Sequence, residues 1–228
     1  MVDGKVDDGK FASRAIAALL LAQLVLGPIT NFTLMDPMLK GAGGFLANAA
    51  PHAAAAATSA LLSMALAVIS AGIGILMWPI LRQRSDRMGL GLVMLGGAGV
   101  ALAGFESAGV MSMVSLSKAY VATATPDEAL YQGLRGVVTA QRNWGHFVRL
   151  LLAGATILLF FAALFRFNLV PKLLAGFGML AAVCQMFAVG SPFFGNPVMF
   201  PMLAPLGVAY ILLAVTLLWK GMRWEVRP

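Results

Sequence analysis

Long apolar stretches separated by short polar connections dominate the pattern of this chain. Each stretch has about 20 apolar residues or more, which is the length that an α-helix needs to cross the hydrocarbon core of a bilayer. The pattern predicts six membrane-spanning helices, at about 11–35, 53–81, 88–116, 144–165, 173–189 and 202–219. We therefore expect an all-α protein, a polytopic transmembrane helical bundle that forms a single domain over residues 1–228.

The most polar stretch, 117–143, precedes the fourth predicted span. Within it, Thr125, Pro126 and Glu128 match a capping box, with the threonine as N-cap and the proline at the first helical position. Apolar residues then recur at helical spacing, at Leu130, Leu134 and Val137. This pattern is typical of an amphipathic helix that rests on the membrane surface, and we expect one before the chain turns into the bilayer.

The composition favours a membrane protein. Only 11% of the residues are charged, whereas a soluble domain has about 25%. The net charge of +7 would suggest nucleic-acid binding in a soluble protein. Here, however, Lys and Arg lie at the ends of apolar runs, where they set the topology and meet anionic lipid head groups. We therefore expect the lipid bilayer, and no nucleic acid, as a partner.

The distribution of basic residues predicts the orientation. Five Lys and Arg residues lie on one side of the predicted bundle. Eleven lie on the side that holds both termini: Lys5, Lys10, Arg14, Arg82, Arg84, Arg87, Arg166, Lys172, Lys220, Arg223 and Arg227. Because cytoplasmic connections carry the excess of Lys and Arg, we expect both termini in the cytoplasm. An odd number of spans would mix the two sets.

The third predicted span is rich in glycine. Gly97 and Ala101 lie four residues apart, and so do Gly104 and Ala108. Small residues at this spacing let another helix backbone approach closely. We therefore expect this helix to offer a contact for a membrane protein partner or for a second copy of the chain.

Ionisable residues inside apolar spans are the candidates for chemistry, because a charge near the bilayer centre costs about 3 kcal/mol or more. Glu106 lies nineteen residues after Arg87, or about 28 Å along a helix. Arg149 lies seventeen residues before Arg166, or about 25 Å. Glu106 and Arg149 are therefore expected at similar depth, near the outer edge of the hydrocarbon core.

Arg142, His146 and Arg149 are spaced four and three residues apart, so they share one helix face. We expect Glu106 to face Arg149, with His146 and Arg142 above them, in a polar ligand-binding pocket that opens to the periplasm. Two alternatives remain: the ion pair only locks two helices together, or Arg149 snorkels to the surface. A catalytic or proton-handling site is a further interpretation.

We expect no metal and no cofactor. His52 begins the second span on the same side as His146, but these histidines and Glu106 lack the close spacing of a specific metal site. The fourteen methionines are mostly spread singly through apolar spans, where they fill gaps. Phosphate loops, nucleophile elbows and HExxH motifs are not found in the sequence.

Three short motifs carry a family resemblance. They are Trp78-Pro79-Ile80-Leu81 before a basic turn, Gln141-Arg142-Asn143-Trp144 before the fourth span, and Leu169-Val170-Pro171-Lys172-Leu173-Leu174 followed by Gly176 and Gly178. They resemble the junction of helices two and three, an Ala-Arg-Asp-Trp motif and a Leu-Ile-Pro-Arg motif of a bacterial family of integral membrane proteins known only as a domain of unknown function. The resemblance covers about 53–190 and implies a six-helix fold without a known activity, in the inner membrane of a bacterium.

One position departs from that family. Many of its members carry an Arg-x-x-Glu pair in the middle of the third helix, and counting from Pro79 places Gly96 and Gly99 there. The resemblance therefore implies that this chain has lost the pair or moved it.

Two classes of function remain. We favour a non-enzymatic membrane component that binds a lipid-like ligand or a partner protein. The alternative is a small transporter or intramembrane enzyme that uses Glu106, His146 and Arg149. A transport route needs polar positions at mid-depth, and the middle of each predicted span is nearly all apolar.

Overall fold

The computed structural model describes residues 2–223, with side chains from residue 9 onward. The side chain of Lys5 and the whole of Arg227, both counted for the orientation, lie outside this range. Within it the chain is helical without β-strands, and six helical segments are long and apolar enough to cross a membrane. The prediction of an all-α, multi-pass membrane protein is confirmed. The orientation of the termini stays a prediction.

The helices follow one another along the chain with short connections. The α-helices are α1 (Val2–Pro28), α2 (Asp36–Lys40), α3 (Gly44–Asn48), α4 (Ala53–Leu81), α5 (Asp86–Ala122), α6 (Glu128–Arg166), α7 (Lys172–Gly190) and α8 (Ala204–Trp219). A π-helical segment, Ile29–Leu34, follows α1, and 3₁₀ turns lie at Ser191–Phe194 and Phe200–Leu203. The π-helical segment begins directly after Pro28, which has no N–H to donate to the preceding turn.

The amphipathic stretch before the fourth span is helical, but it does not form a separate surface helix. It is continuous with the fourth span in α6, which has 39 residues and is about 58 Å long. From Glu128 to Arg166 the sequence contains no proline that would interrupt the helical hydrogen bonds. Leu130, Leu134 and Val137 remain exposed on this helix. Since α6 is longer than the approximately 30 Å hydrocarbon core, part of it lies beyond the core or the helix is tilted.

The helix start that the capping box predicts is displaced by two residues. α6 begins at Glu128, and Asp127 is its N-cap, because the Asp127 Oδ1 accepts a hydrogen bond from the Leu130 N–H at 3.1 Å. The prediction of Thr125 as the cap was wrong. Glu128, the expected partner in the box, instead accepts a hydrogen bond from the Tyr120 hydroxyl at 2.7 Å.

Packing divides the chain into two compact units. Unit 1 comprises Met1–Leu24, Val68–Gly99 and Leu150–Pro228, and unit 2 comprises Val25–Ala67 and Val100–Arg149. Each unit has its own apolar core. The core of unit 1 includes Ile16, Leu20, Met77, Phe161 and Leu213, and that of unit 2 includes Met38, Phe45, Leu46, Val110 and Met113.

The connection between the first and second spans is folded rather than a loop. Its short helices α2 and α3 bury Met38, Phe45 and Leu46 in the core of unit 2. The buried Ser117 hydroxyl holds this connection in place: it donates to the Leu46 carbonyl at 2.8 Å and accepts from the Ala50 N–H at 2.8 Å. The sequence pattern did not predict these contacts, because they join residues about seventy positions apart.

Close packing of α4 on α5 in unit 1 depends on glycines. A Cβ added at Gly96 would lie 2.8 Å from the Ala71 Cα, and one added at Gly74 would lie 3.1 Å from the Leu92 carbonyl oxygen. The glycines singled out by their spacing, Gly97 and Gly104, are different. In the part of the chain that the structure describes, a Cβ at either would meet no heavy atom within 4 Å.

Candidate functional site

The candidate site lies between α5 and α6 in unit 2, where two glycines bring the helices together. A Cβ added at Gly109 on α5 would lie 3.4 Å from the Arg142 Cα on α6, and one added at Gly145 on α6 would lie 3.1 Å from the Phe105 ring. Because glycines stand at these positions, the backbones can approach closely. Glu106 is thereby placed directly against α6.

Glu106 is the centre of the site, and its side chain is 4% exposed. One carboxylate oxygen, Oε1, lies 2.7 Å from the His146 Nδ1. The other, Oε2, accepts a hydrogen bond from the Arg149 Nε. With the carboxylate ionised, the imidazole donates its Nδ1–H, and the Nε2 is left to face other groups. Both oxygens of Glu106 are therefore already bound by residues of α6.

Arg142 adds a second guanidinium group to this site. It lies one helical turn before His146 and interacts electrostatically with both Glu106 and Arg149. Its Nη1 donates to the Asn143 Oδ1 at 3.2 Å, but its buried Nε has no hydrogen-bond partner among the described residues. One carboxylate thus faces two guanidinium groups and an imidazole, which leaves an excess of positive charge.

The structure brings together the residues that the sequence singled out. Glu106 contacts both His146 and Arg149, and Arg142 lies within electrostatic range of the carboxylate. We call these four residues the Glu106 cluster. The helical rise along α5 and α6 was the signal that placed Glu106 and Arg149 at the same depth. Ligand binding by the Glu106 cluster stays a prediction.

His52 takes a different role. Its Nδ1 lies 2.9 Å from the Asn48 carbonyl oxygen, at the start of α4. Among the residues that the structure describes, no group of three His, Cys, Asp or Glu side chains could hold a metal ion.

Sequence reasoning missed Ser107, the residue next to Glu106. Its buried hydroxyl donates to the Ala60 carbonyl at 3.0 Å and so ties α5 to α4 within unit 2. A serine in a helix usually bonds to the carbonyl four residues earlier, as Ser112 does with Ala108 at 2.9 Å. No signal in the sequence distinguishes these two serines.

The arrangement suits the binding of an anion. A guanidinium fork binds carboxylate or phosphate groups through parallel hydrogen bonds, and Arg142 has an unused buried donor. Phe105, Trp144 and Val148 are exposed beside the Glu106 cluster. An anionic group and an apolar chain on the same molecule would therefore both find partners here.

Comparison with known proteins places the chain in a family. Residues 15–221 match the protein family described as Domain of unknown function (DUF4386). The chain belongs to this family. The resemblance to membrane proteins known only as a domain of unknown function is thus confirmed. No curated protein and no solved structure matches the chain.

In this DUF4386 protein, Gly96 stands where the family resemblance implies the arginine of an Arg-x-x-Glu pair, and the packing around it leaves no room for that side chain. Because an added Cβ at Gly96 would already lie 2.8 Å from the Ala71 backbone, an arginine there would force α4 and α5 apart. The buried carboxylate and guanidinium of this chain lie instead between α5 and α6, at Glu106 and Arg149.

Proposed function

We propose that this DUF4386 protein is a non-enzymatic component of the bacterial inner membrane, with both termini in the cytoplasm, that binds a lipid-like ligand with an anionic head group. The Glu106 cluster is the binding site in this proposal. The observation that carries it is the excess of buried positive charge, with the Arg142 Nε left without a partner.

The roles within the cluster differ. Since both oxygens of Glu106 are bound by His146 and Arg149, the glutamate orients these two side chains and does not itself receive the ligand. Arg142 supplies the charge that the ligand neutralises. A lock between α5 and α6 would need only Glu106 and Arg149. A second buried guanidinium group is costly unless an anion pairs with it.

The depth of the site supports an amphiphilic ligand. Glu106 lies twenty residues after Asp86, the first residue of α5, or about 30 Å along the helix. This distance corresponds to the approximate thickness of the hydrocarbon core, so the site is expected at its boundary. An acyl chain could lie along the exposed Phe105 and Val148 while its head group meets Arg142.

Native mass spectrometry of the purified protein tests this proposal with oleate as the probe and oleyl alcohol as the uncharged control. We expect oleate to bind better than the alcohol, and Arg142→Gln to weaken oleate binding by about tenfold, the loss of one charge-assisted hydrogen bond. Arg135→Gln is the matched control, because Arg135 lies on the same helix and its Nη1 donates to the exposed Gln132 Oε1 at 3.2 Å. Equal binding of oleate and oleyl alcohol, or equal effects of both variants, would contradict the proposal.

A second candidate function is association through α5, with another membrane protein or a second copy of the chain. The observation that favours it is that Gly97, Ala101 and Ala108 are exposed on α5. Cross-linking from a cysteine introduced at Ala101 should give a dimer in membranes. Introduction of a bulky side chain by Gly97→Leu should abolish that product, whereas an unchanged yield would exclude this face.

A further inference from the structure

The charges that act on the Glu106 cluster come from the cluster itself. The electrostatic partners of Glu106 are His146, Arg149 and Arg142, and those of Arg142 are Glu106 and Arg149. All four residues belong to unit 2, and the carboxylate at their centre is 4% exposed. Because water screens these side chains little, a ligand that binds among them has to balance the charge of the cluster.

The ionised side chains give the cluster one net positive charge. Glu106 contributes one negative charge, and Arg142 and Arg149 contribute one positive charge each. The His146 Nδ1 lies 2.7 Å from the Glu106 Oε1, and the neutral imidazole can donate this hydrogen bond. A ligand with one negative charge therefore completes the balance. The second charge of a dianion would stay buried without a partner, which is costly.

The hydrogen-bond donors left for a ligand suit one pair of oxygens. The Arg142 Nη1 donates to the Asn143 Oδ1 at 3.2 Å, and the buried Arg142 Nε has no partner among the described residues. In a guanidinium group, the Nε–H and one N–H of Nη2 point the same way and can bind two oxygens in parallel. Arg149 is different, because its Nε already donates to Glu106.

We propose that the Glu106 cluster selects an amphiphile whose head group has a single negative charge and two equivalent oxygens, and that it discriminates against doubly charged phosphate monoesters. A fatty-acid carboxylate and a phosphodiester both have this chemistry. Glu106 determines the specificity, since its charge sets the net charge that the ligand meets. This inference rests on the proposed function and adds the charge of the ligand to it.

The test compares two head groups on the same eighteen-carbon chain, by competition against isotope-labelled oleate on the purified full chain, with native mass spectrometry as the readout. At about pH 8 oleate has one charge, whereas oleyl phosphate has nearly two, because the second pKa of a phosphate monoester is about 6. After correction for partition into the detergent, we expect oleate to bind about tenfold more tightly than oleyl phosphate. Equal or tighter binding of oleyl phosphate would overturn the proposal.

Glu106→Gln tests the role of the glutamate. It raises the net charge of the cluster to two, so the ratio of the two affinities should shift by about tenfold toward oleyl phosphate. Glu128→Gln, at an exposed glutamate of the same unit, is the matched control and should leave the ratio unchanged. The ratio is the measured quantity because a general loss of binding cancels in it. The same ratio in Glu106→Gln as in the control would overturn the proposal.

Arg149→Gln gives a test in the opposite direction, and it carries the test should Glu106→Gln fail to fold. It lowers the net charge of the cluster to zero, so a dianion should lose more affinity than a monoanion. We expect the ratio to shift by about tenfold toward oleate. A shift toward oleyl phosphate, or no shift, would overturn the proposal.

Two further ligands complete the experiment. If oleate binds no better than oleyl alcohol, the proposed function fails and this inference fails with it. If oleate and oleyl phosphate both bind better than the alcohol but without the expected preference, only this inference fails. Oleoyl lysophosphatidylglycerol, whose phosphodiester has one charge, identifies the head group: tighter binding than that of oleate assigns the site to a phosphodiester, and weaker binding assigns it to a carboxylate.

Discussion

Replacing Glu106 by glutamine removes one negative charge and keeps the size of the side chain. The substitution leaves Arg149, 13% exposed, and His146, 16% exposed, around a neutral amide. Removing one partner of a buried ion pair costs about 3–5 kcal/mol, because the other charge stays buried without compensation. Since Arg149 retains some exposure, we expect a loss near the lower end, about 3 kcal/mol of unfolding free energy.

A double-mutant cycle separates the interaction energy between Glu106 and Arg149 from the effect that each substitution has on its own. Arg149→Gln leaves Glu106 with His146 as its partner, so its cost should be smaller than that of Glu106→Gln. The double variant removes both charges, and its cost should fall short of the sum of the single costs by about 2 kcal/mol.

The assay is equilibrium unfolding of the purified protein in mixed micelles, with dodecyl maltoside as the folding detergent and sodium dodecyl sulfate as the denaturant. Glu128→Gln is the control, because Glu128 is an exposed glutamate at the start of α6; it should change the stability by less than about 0.5 kcal/mol. The reasoning would be refuted if Glu106→Gln were as stable as this control. It would also be refuted if the losses of unfolding free energy in the two single variants summed to the loss in the double variant.

Two further predictions concern the helices that position the site. Gly96→Ala would place a methyl group 2.8 Å from the Ala71 Cα, so we expect it to lower the unfolding free energy by about 1–3 kcal/mol in the same assay. Gly97→Ala on the same helix should be neutral or stabilising. Equal effects of the two substitutions would show that α4 and α5 do not approach closely at Gly96. Asp127→Ala should destabilise the start of α6 by about 1 kcal/mol, seen as faster amide hydrogen exchange in its first turn, and Thr125→Ala should not. A larger effect from Thr125→Ala would make that residue the cap.

The architecture could be predicted from the sequence because a bilayer imposes simple requirements. A spanning segment must satisfy its backbone hydrogen bonds internally and present about 20 apolar residues to lipid, so hydropathy was sufficient for an all-α chain with six spans. The regular rise of a helix also related positions far apart: it placed Glu106 and Arg149 at one depth before any contact was known. Both inferences depend on local geometry alone.

Tertiary structure decided which faces and turns meet. Small residues at a spacing of four occur on several faces of α5, and only the packing shows that Gly96 contacts α4 while Gly97 remains exposed. Ser117 bonds to the connection after the first span, and Arg84 bonds to Phe167. Each of these contacts joins residues about seventy or more positions apart. Periodicity and capping patterns extend over a few helical turns, so they carry no information about such contacts; these depend on how the helices pack.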